Sequence, residues 1–229
     1  SNPLTLTLDN TINISENLRY PLQIPDYVTI KGEGVEVTNI PRPGNGRKTF
    51  IGHNLKEAII KDLKIENETY QNSGDQHLDG GGLHFTRSEV ELNNINIKGC
   101  KNAKKGGAIY IGNSNNSPNG FVIKNSRINT DNEAVFGGGI FINNSDVIIE
   151  SSQINGNNSN TSSGVNGKGA GIYAFNSSVE IRNTSINQND TGGNDTEGVG
   201  LYLIGKDLND IIRIENCEIR GNYSPSSQS

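Results

Sequence analysis

The sequence predicts an all-β protein: a right-handed, single-stranded parallel β-helix of about seven coils, with three sheets and an N-terminal β cap. Three observations carry that expectation. Only 31% of the residues are hydrophobic and 6% aromatic, which suits a thin core repeated coil after coil. The apolar residues are mainly Ile and Val and alternate with polar ones, the period of half-buried strands. A glycine-led strand then recurs as GGGLHF (80–85), GGAIYI (106–111), GGGIFI (137–142), GAGIYA (169–174) and GVGLYL (198–203). Their first apolar residues, Leu83, Ile109, Ile140, Ile172 and Leu201, are spaced by 26, 31, 32 and 29 residues.

A second strand follows each one: VELNNINI (90–97), VIKNSRI (122–128), VIIESSQI (147–154), VEIRNTSI (179–186) and IRIENCEI (212–219). The pattern extends upstream as AIIKDLKI (58–65) and VTIKGEGV (28–35). The seven copies register on Ile30, Ile60, Leu92, Ile123, Ile149, Ile181 and Ile214. Two strands and a short third in about 30 residues suit a large three-sided coil. Parallel strands stack about 4.8 Å apart, so such a rod is roughly 34 Å long. The uneven spacings place insertions between the third strand and the next glycines, in ETYQNSGDQHLDG, NNSNTSSGVNGKG and NDTGGNDTEG.

Residues 1–27 differ from the repeat. LTLTLDNTINI (4–14) alternates strictly, and open solenoid ends need covering, so this segment is the expected cap. The coils then occupy 28–222, and YSPSSQS (223–229) reads as a flexible tail. The tail follows a coil directly and the chain has no Met, so the native protein is expected to continue into further repeats, an anchor or a barrel. Within the coils, Asp62, Asn94, Asn125, Ser151, Asn183 and Asn216 share one register, as an amide ladder at a bend would. Ile65, Ile97, Ile128, Ile154, Ile186 and Ile219 form an inward stack. The column Leu63, Ile95, Ser126, Ser152, Thr184 and Cys217 turns from apolar to small and polar, which suggests a narrowing core.

Charge and hydropathy exclude two classes. A net charge of −5 without a basic block excludes nucleic acid as a partner. No apolar run reaches the roughly 18 residues of a membrane helix. Cys100 and Cys217 fall in different columns four coils apart, about 19 Å, beyond the ~7 Å reach of a disulfide. Both are expected as free thiols.

GGGIFINNSDVIIESSQINGN (137–157) and GAGIYAFNSSVEIRNTSINQN (169–189) resemble the repeats of bacterial surface β-helix proteins, among them the chlamydial polymorphic membrane proteins and other autotransporter passengers. Those proteins carry GGA-I and F-x-x-N motifs. This chain has one intact GGAI (106–109) and an isoleucine version of the second motif at Ile154-x-x-Asn157, Ile186-x-x-Asn189 and Ile219-x-x-Asn222. Asp131 and Cys100 stand in the Asn place of earlier coils. The resemblance implies a pectin-lyase-like β-helix on the outer membrane or outside the cell. It also implies an adhesive or scaffolding role toward a host-cell surface or a glycan.

The residues after the leading apolar positions, His84, Tyr110, Phe141, Tyr173 and Tyr202, should point outward as a column of rings. Beside them the same alternation places Gly82, Ala108, Gly139, Gly171 and Gly200, an expected shelf for a sugar chain. The competing reading is that stacked rings only brace the sheet. The glycines do not read as a phosphate cradle, because a strand and never a helix follows them. Asp190, Asn194, Asp195 and Glu197 are a candidate calcium loop, with a solvated loop as the alternative; no metal ligand set or other cofactor is recognisable. Many parallel β-helices are polysaccharide lyases or hydrolases, so a carbohydrate-active enzyme is the alternative function. Paired carboxylates are not evident in an outward column, and no catalytic residue is assigned. Lys61, Asn93, Lys124, Glu150, Arg182 and Glu215 read as a charge-paired face. Asp75, His77 and Asp79 near His84 form the densest acid–histidine group.

Overall fold

The computed structural model describes residues 4–8, 21–36, 38–41, 48–66, 79–101, 103–114, 120–159, 166–192, 197–205, 207 and 209–224. Asp75, His77, Asn194, Asp195 and the tail from 225 lie outside these residues. The described chain is all-β, and every paired strand runs parallel to its neighbour, making a parallel β-helix.

Three sheets run along it, of 13, 7 and 4 strands. The first holds the register residues, paired in series: Ile30 with Ile60, Ile60 with Leu92, Leu92 with Ile123, Ile123 with Ile149, Ile149 with Ile181 and Ile181 with Ile214. All seven copies are rungs of one ladder. The second sheet stacks the glycine-led strands in the same way, from Leu83 to Leu201. It also contains two rungs without the glycine motif, Leu22–Gln23 and Phe50–His53. Among the described residues the third sheet comprises Ala103–Lys105, Glu133–Phe136, Asn158–Ser159 and Asp190–Thr191. Leu4–Thr7 lies parallel on Val28–Lys31 with Leu6 opposite Ile30. The expected cap segment thus contributes a rung to each long sheet.

The core is a set of columns. Ile65, Ile97, Ile128, Ile154 and Ile186 are each fully buried, while Ile219 on the last rung is 45% exposed. A fully buried Ile is worth roughly 1.5–3 kcal/mol, so this column alone is a large part of the driving force.

The corner between the first-sheet strands changes along the rod. Ala58–Glu66 and Val90–Lys98 pass through it as unbroken nine-residue strands, with Leu63 opposite Ile95 inside. From Phe121 onward the inward residue is Ser126, Ser152 or Thr184, and each strand splits in two. The reason is a hydroxyl ladder. The Ile95 amide donates to Ser126 Oγ at 3.2 Å, the Ser126 amide to Ser152 Oγ at 3.1 Å, and the Ser152 amide to Thr184 Oγ1 at 3.3 Å. Each hydroxyl donates in turn to a carbonyl two residues back, on Lys124, Glu150 and Arg182. The column turns polar because it carries these bonds, not simply because the core narrows. A second hydroxyl ladder, Ser88, Ser114, Ser145 and Ser177, serves the end of the glycine-led strands. Leaving such a buried amide unpaired costs about 1–3 kcal/mol.

Candidate functional site: the ring column and its lysine flank

The glycines build the entry to each outer ring. Gly80, Gly106, Gly137, Gly169 and Gly198 have φ of +74, +67, +65, +59 and +56°. A Cβ on any of them would stand 2.2–2.4 Å from the carbonyl oxygen three residues on, so only glycine makes this turn. The turn breaks the alternation expected from an extended strand. Gly82, Gly139, Gly171 and Gly200 therefore face inward, where a Cβ would meet Cys100 Sγ, Asn157 Nδ2, Asn189 Nδ2 and Asn222 Nδ2. Ala108 is fully buried among core residues. The glycine shelf expected beside the rings is absent for this reason.

The rings themselves form one continuous stack. Centroids are 4.5 Å apart for His84–Tyr110, 5.4 Å for Tyr110–Phe141, 5.1 Å for Phe141–Tyr173 and 5.0 Å for Tyr173–Tyr202, with planes within 4–11° of parallel. Tyr110, Phe141 and Tyr173 therefore have a ring on each face. Phe141 is only 4% exposed, and the other four are half-buried. The column offers a ligand ring edges and tyrosine hydroxyls rather than broad faces.

The residue before each turn glycine lies against this stack. Lys105, Phe136, Lys168 and Glu197 succeed one another in parallel bridges. Lys105 Nζ sits 5.3 Å from the Phe141 centroid, Phe136 packs against Tyr173 at 5.4 Å, and Lys168 Nζ sits 4.9 Å from the Tyr202 centroid. A cation at that distance from a ring gains about 0.5–1 kcal/mol at exposed sites. Lys168 is also paired with Glu197 at 2.8 Å, and that hydrogen bond raises the lysine's pKa.

At the other end of the stack the electrostatics reverse. His84 Nδ1 is 2.9 Å from the Asp79 carbonyl oxygen, and its ring is edge-on to His53 at 5.9 Å. Burial pushes the His84 imidazole down to about 4, opposed by the Asp79 carbonyl and reinforced by Lys48 and His53. Burial raises the Asp79 carboxyl, against the pull of Lys105, Lys48 and Lys104. Burial likewise lowers Lys48, against Asp79. Tyr110 is raised by burial and then by the Asp79 charge. Of the predicted acid–histidine group, the structure thus joins Asp79 and His84 and adds Lys48, which periodicity did not single out because it precedes the glycine-free rung at Phe50.

The Asp62, Asn94, Asn125, Ser151, Asn183 and Asn216 column is a column of left-handed backbone, with φ between 50 and 59°. Asn and Asp tolerate that conformation best, which accounts for their recurrence. One side-chain bond runs between its neighbours, Asn94 Nδ2 to Asp62 Oδ1 at 2.8 Å; Asn125 Nδ2 bonds to Asn93 instead. A buried amide ladder stands elsewhere. Asn132, Asn157 and Asn189 each donate from Nδ2 to the Oδ1 of the next, ending on Asn222, at 2.9, 3.0 and 2.9 Å. The Nδ2 atoms of Asn132, Asn157, Asn189 and Asn222 also donate to the carbonyls of Ile97, Ile128, Ile154 and Ile186 respectively. Asn132 holds the place assigned to Asp131, because one extra residue follows Ile128, with Thr130 and Asp131 both at positive φ. Cys100 occupies the foot of this ladder, its amide donating to Asn132 Oδ1.

Cys100 and Cys217 are not joined in a disulfide. The charged face is paired at Lys124–Glu91, Arg182–Glu180 and Arg213–Glu215. Among the described residues no group of three or more His, Cys, Asp or Glu gathers as a metal site. No helix of the described residues is long and apolar enough to cross a membrane.

No protein-family model and no curated protein matches the chain in sequence. Among solved structures, the A-module of mannuronan C-5 epimerase AlgE4 from Azotobacter vinelandii is similar at 13% identity. The match covers 99% of this chain and 89% of that one, with a TM-score of 0.27. At that score no residue transfers from one to the other.

Proposed function

We propose that this chain is a glycan-contacting β-helical module of a secreted or surface-exposed bacterial protein, with an adhesive or scaffolding role. Its contact face is the ring column from His84 to Tyr202 with the lysines beside it. The observation that supports this reading is periodic: a ring recurs once per coil, half-buried at His84, Tyr110, Tyr173 and Tyr202 and buried at Phe141, with Lys105 against Phe141 and Lys168 against Tyr202. A row of rings spaced about 4.8 Å apart, with tyrosine hydroxyls and ammonium groups on some of its rungs, suits a ligand that itself repeats. A host-cell surface or a glycan is the corresponding partner. Tyr110→Ala combined with Tyr173→Ala tests it: folded double variant should lose binding on a glycan array. Unchanged binding removes the ring column as the contact face.

One observation favours a second reading, a carbohydrate-active enzyme. His84 is held neutral, and its Nδ1 donates to the Asp79 carbonyl, which leaves Nε2 as the nitrogen with a lone pair that can accept a hydrogen bond from a substrate hydroxyl. Reducing-end release or a new unsaturated-sugar absorbance from a polysaccharide would establish that reading, provided His84→Gln abolishes it.

A further inference from the structure

The residues that precede the turn glycines alternate in charge along the ring column. Lys105 is bridged to Phe136, and Phe136 to Lys168, each one rung further along. Each of the three lies against the ring of the following rung. Lys105 Nζ is 5.3 Å from the Phe141 centroid, the Phe136 ring is 5.4 Å from that of Tyr173, and Lys168 Nζ is 4.9 Å from the Tyr202 centroid. From Tyr110 to Tyr202, successive rungs thus carry a hydroxyl, an ammonium, a hydroxyl, and an ammonium beside a hydroxyl. The two ammonium groups are two rungs apart, about 10 Å, and Phe136 fills the rung between them. Lys105 and Lys168 are both half-buried, so their ammonium groups are held near these rings. A pyranose ring is about as long between its two linkages as one rung is high. An extended sugar chain laid along the rod therefore advances close to one sugar per coil.

We propose that the ring column takes a linear acidic polysaccharide along the rod axis, one sugar per coil, which presents an anionic group to Lys105 and Lys168 on every second sugar. The proposal rests on the glycan reading above and names its ligand class and direction. The sugar between the two charges meets Tyr173 and Phe136, where a hydroxyl and an apolar ring suit an uncharged group. Lys168 already holds Glu197 at 2.8 Å, but that side chain is 62% exposed. An ion pair so open to water contributes little, and the lysine can exchange it for a ligand's anion.

The test uses the full chain, titrated at low salt with oligosaccharides in which a uronate alternates with a neutral amino sugar, and with neutral oligomers of the same lengths. A tetrasaccharide can bring its two carboxylates to both lysines, whereas a disaccharide reaches only one. The tetrasaccharide should therefore bind about tenfold or more tighter than the disaccharide, and its affinity should weaken with added salt. Lys105→Gln and Lys168→Gln should each bring that gain down to within about twofold. Glu197→Gln, which releases Lys168, should strengthen tetrasaccharide binding by about two- to threefold. Thermal melts show that each variant is folded, and lysines that only brace the rings would lower the melting point and leave the length dependence intact. A gain that survives both lysine substitutions overturns the spacing while the glycan reading stands. So does a tetrasaccharide that binds no tighter than the disaccharide or the neutral oligomer. Binding to none of a broad set of glycans overturns both.

Discussion

Two columns of this rod repeat once per coil and have opposite characters. The inner one, from Cys100 through Asn132, Asn157 and Asn189 to Asn222, keeps one residue type over four coils, and Asn132, Asn157 and Asn189 are at most 1% exposed. Its amides bond to one another and to backbone carbonyls. The outer one changes residue from coil to coil, His, Tyr, Phe, Tyr and Tyr, and leaves edges open. Uniformity marks the column that the fold requires, because each coil must solve the same corner. Variation marks the column free to answer to something outside the rod. Most of the perturbed ionisable groups lie along the second, Asp79, His84 and Tyr110 toward one end and Lys168, Tyr173 and Glu197 toward the other, while Glu66 and Asp146 are perturbed elsewhere.

The sharpest break in that comparison is at the inner column. Asn157→Leu removes the acceptor of Asn132 Nδ2 and the donor to Ile128 O and Asn189 Oδ1. It also forces branched carbons toward Gly139, whose missing Cβ would stand 3.1 Å from Asn157 Nδ2. A loss of roughly 3 kcal/mol in urea unfolding is expected, with ligand affinity unchanged wherever the variant is folded. A loss under about 1 kcal/mol would mean that the ladder is not a main prop of the corner.

Much of this contrast is legible in the sequence, and most of the misses share one cause. The seven register residues from Ile30 to Ile214 pair as their spacing predicts, because an inward apolar side chain every coil leaves little choice of register. The five rings also align, because the turn glycines fix where each strand starts. What periodicity could not show is where the chain bends. At bends the two-residue alternation fails, so Gly82 and Gly139 face the Asn ladder and not the rings. For the same reason the recurring Asp62–Asn216 register marks left-handed backbone, while the buried amides stand three or four residues after the isoleucine stack. Lys48 belongs to a rung without the glycine motif, so no pattern led to it.

The outer column should respond more gently. Tyr173→Ala removes two stacking partners, Phe141 and Tyr202, and the tilted contact with Phe136. A pair of this kind is worth about 0.5–1.5 kcal/mol, so thermal or urea unfolding should show a loss near 1–2 kcal/mol. Glycan binding should fall much further than stability. The opposite ranking, stability collapsing while binding persists, would make the rings a brace and nothing more.

The smallest expected effect lies in the pH dependence. In the unfolded chain His84 takes up a proton near its ordinary value of 6.5, whereas in the folded protein it does so only near 4. Between those values the unfolded state binds more protons, so this residue's contribution to stability falls as pH drops from 6.5 toward 4. Asp79 works in the other direction, since its raised folded pKa favours the protonated fold as acid is added. Urea unfolding of the parent protein and of His84→Gln, measured side by side from pH 7.5 to 4.5 (values chosen to span roughly that window), separates the two. Asp79 is present in both proteins and largely cancels in the difference. The gap between the curves should shift steadily against the parent protein as pH falls. A gap that stays constant over that range would mean that His84 titrates normally and that burial at this end of the ring column is too slight to disfavour its charge.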